Sequence, residues 1–512
     1  MKKLLLPLLI FACAFNAKAQ GDYEIKIKFK GCKDSIAYLV SYQFDQQYIA
    51  DTCKKIKNGL IIFKGKKELS KGMYVLVSEG KSIYFDFFIN ENQKFTINTD
   101  IADMVNSLKS IGNKENEQWF SYMKYFTNKN LELGKLRDQT KGKSKEDSAK
   151  FINEKLKILN EEVKTFEKDF MQKVKGTFLS DFLNLKTEKE PIEIPKASNG
   201  RPDSVYQYYY YRDHFFDGIN FKDERIIHTP FFDDRVKKYF ESVILQHPDT
   251  VLQEVNKIMA KTSGPNTCNL VYKLLLSYFS YKYEQSKIMG FDKVFVRIAQ
   301  QYIIPDSAKK CSLTMYGNEE NIKKFVDRVK IMDGLLLESK VDELYMIDTT
   351  YAKQVMKMGF DTAKTSKSCT DLYYKNIDKL TPMFKTLYQV NAKYTVLVFW
   401  ASDCGHCQTE IPKLKENLDK IKGQIDFKVF SVQTKEDVDG WRKFIIDKKL
   451  DFINVFDPIH LNNLKDKFDI YSTPVIYILD KDKKIKAKRL GAEQVVDMLK
   501  MLESIDKANN KK

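Results

Sequence analysis

The run Tyr394-Thr395-Val396-Leu397-Val398-Phe399-Trp400 constrains the fold more than any other stretch of the chain. A strand so continuously apolar has no solvated face, so it must lie in a sheet covered on both sides. From about Leu335 onward, strand-like and helix-like segments alternate around it. A helix is expected to about Ile421, then strand Phe427–Val432, a helix through Trp441 and Phe444, and strand Phe452–Phe456. Val475–Leu479 and Lys484–Lys488 read as a hairpin across Asp480-Lys481-Asp482-Lys483, and a last helix closes the chain. The pattern predicts an α/β domain over residues 335–512.

Upstream the hydrophobic period differs. Tyr23, Ile25, Ile27 and Phe29 alternate with charged neighbours, the mark of a half-buried strand. Short apolar runs follow at Ile36–Tyr42, Leu60–Phe63, Met73–Val77, Ile83–Ile89 and Phe95–Ile97, with Asn58-Gly59 placed as a tight hairpin turn. Residues 20–112 therefore read as a small antiparallel β domain, a sandwich. Near Asn113 the period becomes helical. Trp119, Met123, Phe126 and Leu133 share one face, and Ile152, Leu156, Leu159, Val163, Phe166 and Phe170 form a second stripe beyond the polar break 140–144. An αα-hairpin is expected there, with further helices near Asp233–Leu245, Val251–Ala260, Leu270–Tyr283 and Asn321–Leu335, so 113–334 reads as a helical region. The aromatic cluster Tyr206–Phe216 is expected to pack between helices, a peptide groove being the alternative. A length of 512 residues fits this division into about three domains.

The formal charge of +17 comes from 86 basic and 69 acidic residues. The lysines are spread and interleaved with acids, which argues for a solvated surface and against nucleic-acid binding. Eight cysteines are too few for a disulfide-stapled scaffold, and no internal apolar run reaches the ~20 residues of a membrane helix.

The first residues carry an address. Met1-Lys2-Lys3, the apolar stretch Leu4–Phe15 and the small-x-small site Ala17-Lys18-Ala19 have the anatomy of a secretory signal peptide, residues 1–19. Cleavage after Ala19 and a periplasmic mature protein are expected. A lipid anchor at Cys13 is disfavoured because Phe11 fits a lipobox poorly.

The reactive motif is Cys404-Gly405-His406-Cys407. It follows the buried strand and opens a helix. Two cysteines three apart at a helix start close a disulfide with little backbone movement. The helix N-terminus, free backbone N–H groups and a neighbouring imidazole all lower the first thiol's pKa. Cys404 is thus the candidate attacking thiolate and Cys407 the resolving thiol. Half of a zinc site is the alternative, but there is no second Cys-x-x-Cys and the next histidine downstream is His460. Neither a metal nor an organic cofactor is expected.

The residues around this motif resemble the thioredoxin superfamily, most closely its exported TlpA/ResA-like branch. Phe399-Trp400-Ala401-Ser402-Asp403-Cys404 is similar to the family's passage from strand to active site, and Pro412 to the proline of its active-site helix. The resemblance implies that Glu410 is the acidic residue close to the redox pair, able to carry a proton; a solvated carboxylate paired with Lys413 or Lys415 is the alternative. It implies that Ser472-Thr473-Pro474 is the cis-proline loop, with Thr473, Pro474 and Trp400 docking the substrate. Val398 departs from the buried aspartate of cytoplasmic thioredoxins, which again favours the exported branch. Gly405-His406 is the dipeptide of protein disulfide isomerase, and His406 is expected to tune the potential.

The implied activity is thiol–disulfide exchange on protein thiols and disulfides of the cell envelope, with a membrane thiol-reductase as electron donor. The architecture resembles exported bacterial proteins in which a β domain and a helical region of unassigned function precede the redox domain. A binding protein with a vestigial or sensing redox pair is the rival. A peroxidase is disfavoured because Ala401 stands where such sites carry threonine. Cys32, Cys53, Cys268, Cys311 and Cys369 have no spacing motif and are expected to be buried free thiols, although Cys369 near the active site would make a second resolving partner.

Overall fold

The computed structural model describes residues 22–138, 144–363 and 365–509. The signal-like segment and Cys13 lie outside the described residues. Two compact units emerge: one holds the chain up to Gln246 with Lys257–Leu274, the other His247–Asn256 with the chain from Leu275 onward.

The first unit opens with eight strands: β1 (Tyr23–Lys30), β2 (Ala37–Gln43), β3 (Gln46–Cys53), β4 (Leu60–Gly65), β5 (Gly72–Ser78), β6 (Ile83–Ile89), β7 (Lys94–Asp100) and β8 (Lys109–Ile111). They form two four-stranded sheets, ordered β4-β1-β7-β8 and β3-β2-β5-β6. The alternating residues Ile25, Ile27 and Phe29 are fully buried. Ring contacts from Phe29 to Phe85 at 6.4 Å and from Phe95 to Phe87 at 6.1 Å join the sheets face to face, so the domain is the expected sandwich.

Two details differ from the sequence reading. β1 and β7 pair in parallel, which a period-two pattern cannot reveal because it reports faces and not direction. Asn58 and Gly59 do form a tight turn, both with positive φ (50° and 70°). The turn closes only on Lys57 and Leu60, and the strands on either side, β3 and β4, lie in different sheets. It is a corner between sheets and not a hairpin.

Helices α1 (Lys114–Asp138) and α2 (Lys145–Lys173) realise the two stripes, with Tyr125 stacked on Phe166 at 3.6 Å. Asn116, fully buried on α1, accepts from the Phe88 N–H at 2.7 Å and donates to the Phe88 carbonyl at 2.9 Å. It thereby completes the backbone pairing of β6 as a strand would. In the aromatic cluster the expectation holds for Phe215 and Phe216, which are buried against Tyr239. It fails for the tyrosines: α3 (Ser204–Asp213) buries none of its residues, and Tyr206, Tyr208 and Tyr209 are exposed. Consecutive tyrosines occupy all sides of a helix, so one face cannot bury them all.

The second unit contains α4 (Asp292–Ile298), α5 (Glu319–Gly334) and a seven-stranded sheet: β9 (Tyr345–Asp348), β10 (Phe384–Thr386), β11 (Tyr394–Trp400), β12 (Phe427–Gln433), β13 (Ile453–Phe456), β14 (Val475–Asp480) and β15 (Ile485–Lys488). The order is β10-β9-β13-β12-β11-β14-β15. β11, β12 and β13 run parallel, and β14 returns antiparallel beside β11. Every residue of β11 is buried. Val396, Val398 and Trp400 face α7 (Gly405–Asp419) and α10 (Ala492–Asn509), while Leu397 and Phe399 share the opposite face of the sheet with Phe430, Val432 and Tyr477. Between β9 and β10, the segment 352–375 ends in α6 (Ser366–Lys375). Helix α8 (Val438–Asp447) follows β12, and α9 (Leu464–Phe468) precedes β14. Lys488 on β15 is buried and bonds both Asp292 on α4 and the carbonyl of Leu335, tying the helices of this unit to its sheet.

The cysteine expectation needs correction. Cys32, Cys53 and Cys369 carry free thiols, Cys53 and Cys369 buried and Cys32 half-buried, whereas Cys268 and Cys311 are disulfide-bonded. No spacing motif around either cysteine announces its bonded state.

Candidate active site

The buried strand β11 stops at Trp400, and α7 begins after four intervening residues. The connecting loop is pinned from beneath. Gln433, buried at the end of β12, accepts from the Ser402 N–H and donates to the Ser402 hydroxyl, each at 3.2 Å. Gln408 of α7 donates to the Ser402 carbonyl at 3.0 Å. Both ends of the loop are thus fixed, and Cys404 falls at the N-cap of α7.

The Cys404 sulfur takes the place of a capping oxygen, accepting from the Cys407 N–H at 3.4 Å. On its other side lies the carbonyl oxygen of Thr473, also 3.4 Å away. The Thr473–Pro474 peptide bond is cis. Burial alone raises the Cys404 pKa, but hydrogen bonds from the Cys407 and Thr473 side chains and from the backbone N–H groups of Cys407 and His406 outweigh it. The thiol is held below its ordinary value. Cys407, one turn deeper, is fully buried. Burial and its hydrogen bond to Cys404 push its thiol up to about 11. The pair is therefore asymmetric: one accessible sulfur favours the thiolate, and one buried sulfur stays protonated.

The remaining candidates separate. His406 and Gly405 are exposed on the first turn of α7. Glu410 is half-buried, and its carboxylate accepts from the Ala492 N–H at 3.1 Å, capping the last helix. Lys413 forms its ion pair with Glu493 while also feeling the Glu410 charge, and Lys415 pairs with Asp419 and Asp451. Trp400 corrects the sequence reading. It is fully buried, donates to the Ser431 hydroxyl at 2.7 Å and packs on Phe444, so it supports the loop from within the core. Val398 is buried, so no carboxylate lies at that point beneath the cysteines. Gln433 and Gln408 escaped the sequence reading. A lone glutamine ending the apolar strand Phe427–Gln433 was the available signal.

Residues 381–488 match the model of the AhpC/TSA family, a span holding both the cysteine pair and the cis-proline loop. The C-terminal domain is a thioredoxin-like domain of that family. Residues 141–324 and 23–119 match two further models, each described as a domain of unknown function. Similar solved structures include a domain of a "possible thiol-disulfide isomerase" from Cytophaga hutchinsonii, 35% identical over 35% of this chain and 97% of that one, with a TM-score of 0.26. A thioredoxin-like protein from Bacteroides caccae is 15% identical over 61% of this chain and 99% of its own, with a TM-score of 0.33. A thiol:disulfide interchange protein from a Bacteroides species is 21% identical over 33% and 88%, with a TM-score of 0.23. No curated protein matches.

Proposed function

We propose that the protein is a periplasmic thiol–disulfide oxidoreductase acting on protein disulfides and dithiols through Cys404 and Cys407. The supporting observation is the asymmetry of the pair, with Cys404 activated at the helix N-cap beside Thr473 and Cys407 protonated beneath it. In the reducing direction, the Cys404 thiolate attacks one sulfur of a substrate disulfide and forms a mixed disulfide, and the other substrate sulfur leaves as a thiolate. Cys407 then loses its proton and attacks the Cys404 sulfur. The second substrate thiolate departs, and Cys404 and Cys407 are left as a disulfide. Two electrons pass from the enzyme to the substrate. A second dithiol protein returns them, and a membrane thiol-reductase is the donor this reading favours.

In this account Thr473 and Pro474 face the substrate strand, His406 tunes the potential, and Glu410 moves a proton as the pair opens and closes. The amino-terminal signal-like sequence supports export. The test is turnover of an insulin disulfide by the purified mature protein: Cys404→Ser abolishes it, and full activity in that variant would refute the reading.

A further inference from the structure

Beside the cysteine pair, a groove of about 730 Å³ opens at the carboxyl ends of β12 and β13 and runs up to Thr473. Its size lies in the range of ligand clefts, and its position is where open α/β sheets receive ligands. Its charges decide what it accepts. Two carboxylates line it. Asp457 is held by N–H donors of its own loop, the backbone of Leu461 and Asn462 and the Asn462 side chain, at 2.9 to 3.1 Å. Glu436, 3.3 Å from His460, forms an ion pair with it when that imidazole is protonated. Two cations line it as well, Lys435 and Lys465, both exposed. Among the described residues neither has a carboxylate within ion-pair distance; Lys465 instead lies over the Tyr471 ring at 5.2 Å. Ser366, the first residue of α6, brings a helix N-terminus to the same groove and adds to the positive field. Tyr471, two residues before Thr473, is 62% exposed, with Lys465 over its ring.

We infer that this groove selects substrates by charge: it receives an extended, acidic segment beside the reactive cysteine of a substrate protein, with Lys435 and Lys465 pairing its carboxylates. The inference rests on the oxidoreductase reading above and adds the substrate class. An extended strand meeting the Thr473 backbone would carry its next residues past Tyr471 into the groove. Lysines at such a rim act mainly on the rate of productive encounter and weaken as salt rises.

The test uses reduced, desalted mature protein in single turnover. Three peptides of about ten residues carry one central cysteine as a mixed disulfide with thionitrobenzoate, and differ only in having Glu-Glu, Ser-Ser or Lys-Lys beside it. Attack by Cys404 on the peptide sulfur releases the coloured thiolate. At low ionic strength the Glu-Glu peptide is expected to react about tenfold faster than the Lys-Lys peptide, with Ser-Ser between them. Lys435→Glu with Lys465→Glu should reverse the order. Lys481→Glu with Lys500→Glu makes the same charge change outside the groove and should preserve it; Lys481 lies in the turn at the opposite end of β14. Equal rates for the three peptides would overturn the inference while leaving the oxidoreductase reading intact. So would equal effects of the two double variants, which would assign the preference to the general positive field. Absence of reaction with every peptide would refute the oxidoreductase reading itself.

Discussion

The Cys404 sulfur lies 3.4 Å from the carbonyl oxygen of Thr473, although 68 residues separate the two in sequence (473 − 404 − 1). β11 and β14 bring them together. They are adjacent and antiparallel, with Phe399 opposite Val475, so the end of one strand and the start of the other meet at the same edge of the sheet. The helix start and the cis-proline loop are thus fixed by one strand pairing, and the reactive sulfur sits between them.

The first expectation concerns reactivity against pH. Cys404 is held below the ordinary thiol pKa, whereas Cys407 stands at about 11. Iodoacetamide at pH 7 should therefore label Cys404 in preference to Cys407, and faster than a free cysteine. Labelling should fall as pH drops through the Cys404 pKa. The linkage has a matching sign: a lowered folded-state pKa stabilises the reduced protein above the unfolded thiol's pKa, and that contribution disappears as pH falls through the folded value. Peptide mapping of the labelled protein checks the site, and preferential labelling of Cys407 would contradict the assignment.

The second concerns the resolving thiol. Cys407→Ser should leave Cys404 able to attack and unable to release, so mixed disulfides should accumulate. Intact-mass analysis after exposure to a peptide disulfide should show the protein carrying one peptide. An unmodified protein would contradict the division of labour between the two sulfurs.

Glu410 separates two roles. Its carboxylate caps α10 through the Ala492 N–H. Glu410→Ala should lower stability by about 1 kcal/mol in urea unfolding, while Glu410→Gln keeps an acceptor and most of that stability. If Glu410 also moves a proton, Glu410→Gln should shift the pH profile of thiol oxidation with the fold intact. An unshifted profile would leave it only the capping role.

Trp400 should behave as a core residue. Trp400→Phe strands the buried Ser431 hydroxyl and should cost ~1–3 kcal/mol, and Trp400→Ala ~3–5 kcal/mol. At temperatures where Trp400→Phe remains folded, the KM for a peptide disulfide should stay within twofold of the parent. A large KM increase with unchanged stability would restore a docking role.

What was legible in the sequence follows from the range of the interactions. The run Tyr394–Trp400 and the motif beginning at Cys404 are local patterns, and they yielded the sheet, the helix and the reactive pair. Burial of Trp400 depends on Phe444 and Ser431, both more than thirty positions away, so proximity to the motif misled. The parallel pairing of β1 with β7 is likewise long-range. Glu410 was read by resemblance as a proton carrier, and its contact with Ala492 needed the packing of two helices distant in sequence.

The most direct test of the central claim is a glutathione or dithiothreitol titration of the mature protein, with the oxidation state of Cys404 and Cys407 read by thiol-specific mass labelling. The account predicts one two-electron couple in which both sulfurs change state together, and loss of that couple in Cys404→Ser. A pair that stays reduced across the titration, or sulfurs that oxidise independently, would contradict it.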